Sequence, residues 1–322
     1  MTVNLITGED YPPRREDYCT KIAPVRFEAD ATCPLWHKFL ARITDDDEDL
    51  QEYLARVVGY WLTGHTHEHV LFFLYGTGGN GKSVFIDTIA DMLGDYATTA
   101  PPGTFLSSRW DRHPTEIAGL RAVRLVVADE VEEGRHWNEA RIKQLTGGGK
   151  VKARFMRQDF FEFTPQFKIC VVGNNKPGLR SVDEAIRRRL HLIPFTVTIM
   201  EQERDRHLKD KLKAEWSGIL NWALAGCKAW REGGLEPPKA VLGATDDYLA
   251  EEDTLASWIS DRCHLELDAK TQSSVLFRSF CEWCEASKER TGTQKAFSQK
   301  LRSHGYHRKQ ERTGTFFYGL RL

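Results

Sequence analysis

The chain contains no apolar run long enough to cross a bilayer; the stretch at 70–75 is strand-sized, against the roughly 18 residues a span requires. Cysteine is sparse, seven residues in 322, odd in number and mostly scattered, which argues against a disulfide framework and suits a reducing cytosol. The first ten residues carry neither a basic stretch nor a long apolar one, so no secretory signal is visible. Internal repeats and low-complexity tracts are missing as well. What remains is an ordinary globular composition, 41% hydrophobic with a mean hydropathy of −0.48, which excludes disorder and collagen-like structure. At roughly 150 residues per domain the length predicts two or three compact units in a cytoplasmic protein without a membrane partner.

Net charge is also nearly absent, at −1, but its distribution is uneven. Residues 1–60 hold 7 lysines and arginines against 12 acids, whereas residues 141–191 hold 12 against 4 and residues 271–322 hold 10 against 4. Two basic blocks in a neutral chain point to a polyanion partner, the alternative being solvated faces.

Periodicity divides the chain further. Leu35, Phe39 and Ile43, then Leu54, Val57, Val58 and Leu62, repeat with helical spacing, and the acidic run at 45–49 favours the N-terminus of the second helix. From 70 to about 195, short apolar runs alternate with helical segments, as in a largely parallel α/β core, with strands expected at 70–75, 124–128, 168–172 and 191–194. A helical stretch over 201–230 ends at Gly233, Gly234, Pro237 and Pro238. The expected domains are a mostly helical region 1–64, a core 65–200, a helical extension and linker 201–245, and a second domain 246–322.

The core carries one strong chemical signature. Gly76, Thr77, Gly78, Gly79, Asn80, Gly81, Lys82 and Ser83 satisfy G-x-x-x-x-G-K-[ST], with a strand leading in and a helix leading out that Gly94 stops. Glycines let backbone N–H groups close around a phosphate at a helix N-terminus, so ATP is the expected ligand. Lys82 is expected to reach the β- and γ-phosphates and Ser83 to hold Mg²⁺. A Gly-rich turn containing Lys-Ser by chance is the weaker reading. Asp129 and Glu130 end a buried-type strand, with Asp129 expected on Mg²⁺ through water and Glu130 on the attacking water, the mark of an ATPase rather than a small-molecule kinase. Asn174 ends a third strand and can contact the γ-phosphate or the water, although an Asx turn before Pro177 would claim one of the two asparagines there. Arg187, Arg188 and Arg189 precede the next strand, either as a solvated helix end or as the source of an arginine finger.

In order and spacing, the segments 76–83, 125–130, 145–165, 168–177 and 185–195 resemble the superfamily 3 helicases. They look most like the helicase portion of phage and plasmid primase-helicases, relatives of the poxvirus primase-helicase. The most specific feature is Leu145-Thr146-Gly147-Gly148 followed by Phe161-Glu162-Phe163-Thr164-Pro165, between the acidic and asparagine strands. The resemblance covers roughly residues 35–322. It implies an AAA+-like P-loop NTPase core, a ring-shaped homo-oligomer of the hexameric kind, ATP hydrolysis between subunits and translocation on single-stranded DNA. It carries Lys82, Ser83, Asp129, Glu130, Asn174 and Arg188 into the roles above. Gly149 stands where such proteins usually have Asp, so that carboxylate's role is not carried over. The primase domain such proteins often hold upstream is absent, so the chain reads as a stand-alone helicase or a fragment, with a separate primase a candidate partner and a bacterial host cell the implied setting.

Two surfaces are expected to meet the polynucleotide. Residues 151–164 read as a hairpin whose period-2 alternation places Lys150, Lys152 and Arg154 on one face and Val151, Ala153 and Phe155 on the other, with Arg157 at the tip. Such a cationic finger suits a single-stranded backbone, and family members insert a hairpin of this kind into the ring channel. Residues 271–322 read as helix, helix and hairpin, a winged-helix-like shape. One helix buries Phe297 and Leu301 and turns Lys295 and Arg302 outward, toward duplex DNA or a docked protein. Cys263, His264, Cys281 and Cys284 could bind zinc, but Phe277, Phe280, Cys281 and Cys284 form one apolar helical stripe, so core cysteines are the better reading. His65, His67 and His69 read as a solvated strand entry rather than a ligand set. The competing function is a non-unwinding P-loop ATPase that uses ATP to switch DNA binding or assembly.

Overall fold

The computed structural model describes residues 1–108, 115–129, 134–179, 182–289 and 291–322. The chain forms two compact units, the first comprising Met1–Leu179 and Ala185–Thr245, the second built on Asp246–Leu322.

Two helices begin the main body of the first unit. Helix α1 (Pro34–Thr44) buries Trp36, Phe39, Leu40 and Ile43, positions that share one face. Its N-cap, Cys33, makes no side-chain cap. The carboxylate of Glu215 does that work instead, accepting from Leu35 N at 3.0 Å and Trp36 N at 2.9 Å, a cap worth on the order of 1 kcal/mol. Helix α2 (Glu48–Trp61) is capped locally: Asp47 accepts from Leu50 N at 2.9 Å, and Glu48 and Asp49 occupy the first turn, as the acidic run predicts.

A five-stranded parallel sheet follows, from β1 (Leu71–Tyr75), β2 (Ala97–Thr99), β3 (Leu125–Asp129), β6 (Lys168–Gly173) and β7 (Leu190–Pro194), in the spatial order β2-β3-β6-β1-β7. The central strands are apolar without alternation because both faces are covered. Helix α3 (Lys82–Leu93) leaves β1 through the glycine loop. Helix α4 (Glu139–Thr146) leads into an antiparallel pair, β4 (Val151–Ala153) and β5 (Phe161–Phe163), inserted before β6.

Helices α5 (Leu208–Ala214) and α6 (Trp216–Gly233) follow in the first unit, which also takes in the start of a further helix, Lys239–Glu251. The helical stretch expected over 201–230 is thus shorter and broken at Glu215, the residue used to cap α1. Helices α2 and α6 cross closely: a Cβ on Gly226 would lie 2.0 Å from the Ala55 carbonyl oxygen, so only glycine fits. One buried core joins α1, α2, α6 and the sheet.

In the second unit α7 (Thr254–Arg262), β8 (His264–Gln272), α8 (Ser273–Ala286), α9 (Gln294–Ser303), β9 (Arg308–Glu311) and β10 (Gly314–Arg321) surround a separate core of Leu255, Trp258, Phe280, Phe297, Leu301 and Phe317. The three strands pair antiparallel in the order β8-β10-β9. The sequence pattern predicts only the β9–β10 hairpin; β8 escapes it because its partner lies some fifty residues away. Cys284 is buried in this core beside Phe280, whereas Cys281 and Cys263 are half-buried. Among the described residues no helix is long and apolar enough to cross a membrane.

Candidate functional site

Parallel pairing fixes which residues meet. Tyr75 is in register with Gly173 and with Pro194, and Asp129 with Val172. The carboxyl ends of β1, β6, β3 and β7 therefore form one edge, and segments leaving three of them (Gly76 onward, Asn174 and Phe195) meet there. There Lys82 Nζ donates to Gly76 O at 2.8 Å, Asn80 Oδ1 at 3.1 Å and Asn174 Oδ1 at 3.2 Å. Asn80 Nδ2 in turn donates to Phe195 O at 2.8 Å. Burial lowers the Lys82 pKa, yet its partners are carbonyl and amide oxygens rather than carboxylates. Among the described residues this desolvated cation is held by neutral oxygens alone, which suits it to receiving an anion.

The loop backbone has the required shape. Gly78, Gly79 and Gly81 all lie at positive φ, at 96°, 61° and 87°, conformations that L side chains rarely adopt. Thr77, Gly79 and Ser83 are exposed, Ser83 in the first turn of α3, and Asp129 is exposed at the end of β3, across β6 from β1. These residues fit a nucleotide and a divalent cation by the chemistry of their donors. Glu130 lies outside the described residues.

The arginine cluster stands elsewhere. Leu190 pairs with Leu71, so the residues just before β7 sit at the amino edge of the sheet, a strand's length (about 15 Å at 3.3 Å per residue) from the lysine site. Arg188 is exposed there. Arg189 is buried, donating from Nη1 to Ala185 O at 2.7 Å and from Nε to Thr146 Oγ1 at 3.3 Å. His69 Nδ1 donates to Thr146 O at 2.6 Å, so the Leu145-Thr146-Gly147-Gly148 segment is anchored at that same amino edge. Lys168 is also an interior cation, donating to Thr63 O at the end of α2, 5.0 Å above the Tyr60 ring, with its pKa pushed well down by burial. Two of the charges in the first basic block thus serve the interior.

The hairpin leaves the amino edge, opposite the glycine loop. Val151 and Ala153 are buried, while Lys150, Lys152 and the tip residue Arg157 are exposed and Arg154 is half-exposed. Phe155 differs from the expected alternation: β4 ends at Ala153, and Phe155 is exposed, stacked 5.8 Å from Phe161. Phe160, not singled out by the sequence reading, is 47% exposed, with Lys152 Nζ 5.1 Å and Arg154 Cζ 4.6 Å from its ring. The alternation of Phe161 and Phe163 carries the signal, because it places Phe160 on the cationic face.

In the second unit Phe297 and Leu301 are buried and Lys295 and Arg302 exposed. Both cations line a cleft of about 530 Å³ with Gln299, Ser298 and Arg308, the last of which the sequence reading also missed. The histidines at 65 and 67 are exposed just ahead of β1; His67 stacks on Trp230 at 5.3 Å and His65 lies 6.1 Å from the same ring.

Residues 74–189 match a family of unknown function (DUF5906), and residues 1–45 match the "D5 N terminal like" family. The chain is 26% identical over 281 residues to "Putative helicase L207/L206" of Acanthamoeba polyphaga mimivirus, covering 81% of this chain and 29% of that protein. It is 26% identical over 264 residues to "Putative helicase 022R" of Frog virus 3, covering 75% and 27%. The chain spans less than a third of the length of either relative. Its fold is similar to the apo NrS-1 C terminal region (305-718), with a TM-score of 0.58 at 13% identity, covering 92% of this chain and 78% of that one. The sequence likenesses are to a D5-type family over the first 45 residues and to viral proteins named putative helicases, and the structural one is to a mixed α/β fold with a parallel sheet.

Proposed function

We propose that the chain is an ATP-dependent DNA helicase or translocase of viral or plasmid DNA replication, of the superfamily 3 type, acting as a ring on single-stranded DNA. One observation carries the reading: Lys82 is held by Gly76, Asn80 and Asn174 at the carboxyl edge of the sheet, while a hairpin bearing Lys152, Arg154 and Phe160 leaves the opposite edge. In this reading nucleotide chemistry and strand contact would fall at two ends of one sheet, an arrangement that suits a motor.

In this reading the first unit is an AAA+-like P-loop core and the second a winged-helix-like module. The loop N–H groups from Gly76 to Ser83 cradle the phosphates, and Lys82 exchanges its amide partners for phosphate oxygens. Ser83 and Asp129 would hold Mg²⁺, which supplies charge neutralisation on the phosphates. Glu130 orients the attacking water and Asn174 senses the terminal phosphate. Arg188, remote from its own Lys82, serves the neighbouring subunit's site in a hexamer. Lys150, Lys152, Arg154 and Arg157 track a single strand, and Phe160 offers a base a stacking face. Lys295 and Arg302, with Arg308, face duplex DNA. The work is done in the host cell.

The test is ATP turnover with and without single-stranded DNA, together with strand separation on a forked duplex. DNA-stimulated turnover with unwinding is expected, and Glu130→Gln should bind nucleotide yet stall. Turnover without unwinding would replace this reading with an ATP-driven switch of DNA binding or assembly.

A further inference from the structure

We infer that Arg204 is a second phosphate-contacting cation, supplied by the same subunit at the crest of the glycine loop. The inference rests on the nucleotide reading of that loop and adds a residue that no motif marks. Both ends of the loop are packed shut: a Cβ on Gly76 would lie 2.1 Å from Phe195 O, and one on Gly81 2.5 Å from the Ile43 side chain. The crest is different. A Cβ on Gly78 would meet nothing within 4 Å, and one on Gly79 would meet Arg204 Nη2 at 2.7 Å. A guanidinium therefore borders the open part of the loop.

Its position is built rather than incidental. Ile199 N donates to Gly79 O at 2.8 Å, and Arg204 Nε donates to Ile199 O at 3.1 Å, so loop and arginine are tied through one residue. Arg42 pins the same turn from α1, donating to Thr198 O at 3.2 Å and pairing with Glu203 at 2.7 Å. The acids on either side of Arg204 are engaged elsewhere, Glu203 with Arg42 and Asp205 with Lys211 at 2.6 Å, and those cations hold both carboxyls below their usual range. Among the described residues Arg204 forms no ion pair, and its Nη2 borders Gly79.

The electrostatics then favour an anion. A guanidinium, the buried Lys82 and the positive end of α3 share one loop, and like charges so placed are mutually unfavourable until a polyphosphate arrives. Arginine's planar fork matches phosphate oxygens in a way a staple for the turn would not need, since the Nε bond to Ile199 alone would serve that purpose.

The experiment titrates the full chain with an N-methylanthraniloyl ATP analogue in the presence of Mg²⁺, and displaces it with tripolyphosphate. Arg204→Ala should weaken both ligands about tenfold, the usual scale for a lost charge-assisted hydrogen bond. Arg204→Glu should weaken them further and Arg204→Lys should recover part of the loss. Arg204→Gln replaces the Ala variant if that one unfolds. If the Ala or Gln variant binds as the wild type does, or loses no less than Glu, the inference falls while the nucleotide reading stands. Wild-type protein that binds no analogue, or Lys82→Ala protein that binds it equally well, would overturn the nucleotide reading and this inference together.

Discussion

His191 shows how one half-buried side chain can govern stability apart from the functional site. Its Nδ1 lies 2.6 Å from the Tyr53 hydroxyl under α2, and burial lowers its pKa from 6.5 to about 4. The unfolded chain therefore binds a proton that the folded chain refuses between those two values. Stability is unaffected above about pH 6.5 and falls as pH drops toward 4, by up to roughly 3 kcal/mol from this group. Denaturant titrations from pH 7 to 4 should show that slope in the wild type and a shallower one in His191→Gln, even if the variant is less stable at every pH. Parallel slopes would mean that His191 does not titrate as its burial demands. The same burial logic acts on Lys168 and Lys82, but of the two only Lys82 has its partners on the glycine loop and the asparagine that follows β6.

At the level of elements, the hairpin separates charge from stacking. Lys152 and Arg154 flank an exposed aromatic ring, with Glu162 directly across the strand pair from Lys152. Charges and ring should answer differently to salt. Replacing Lys152 and Arg154 by alanine should flatten the log–log salt dependence of single-stranded DNA binding by about 0.7 per lost phosphate contact. Phe160→Ala should instead weaken binding by about 1–3 kcal/mol per stacked base and leave the slope unchanged. Fluorescence anisotropy at several salt concentrations distinguishes the two. An unchanged slope in the double variant would show that this face never meets the strand.

At the scale of the whole molecule, the sheet register decides what Arg188 can do. It stands at the amino edge, while Gly76, Lys82 and Asn174 stand at the carboxyl edge, so a role at a phosphate requires another subunit's site. Arg188→Ala protein should bind ATP and hydrolyse it poorly, and mixing it with Lys82→Ala protein should restore part of the turnover, because a mixed interface can pair an intact loop with an intact arginine. Mixtures as inactive as the separate variants, with subunit exchange confirmed, would exclude a trans role. Arg189 is then no substitute, since its guanidinium is committed to Ala185 and Thr146.

Local pattern alone determined much of this protein. Unbroken apolar runs gave away strands covered on both faces, as residues 71–75 and 169–172 show, and the acidic run at 45–49 located the N-terminus of α2. The glycine loop was legible because its chemistry is written in consecutive residues, and alternation in the hairpin placed Lys152 outward and Val151 inward. Contacts distant in sequence were not legible. Glu215 caps α1 across 180 positions, Arg204 meets Gly79 through a turn 120 residues downstream, and β8 is recognisable only once β10 lies beside it. The sign of a residue was likewise readable but not its address: Lys168 and Arg189 counted as surface charge until the fold enclosed them. Periodicity reports which face of an element is apolar, whereas the partner that face finds depends on strand order and register, and those are settled only when the whole core packs.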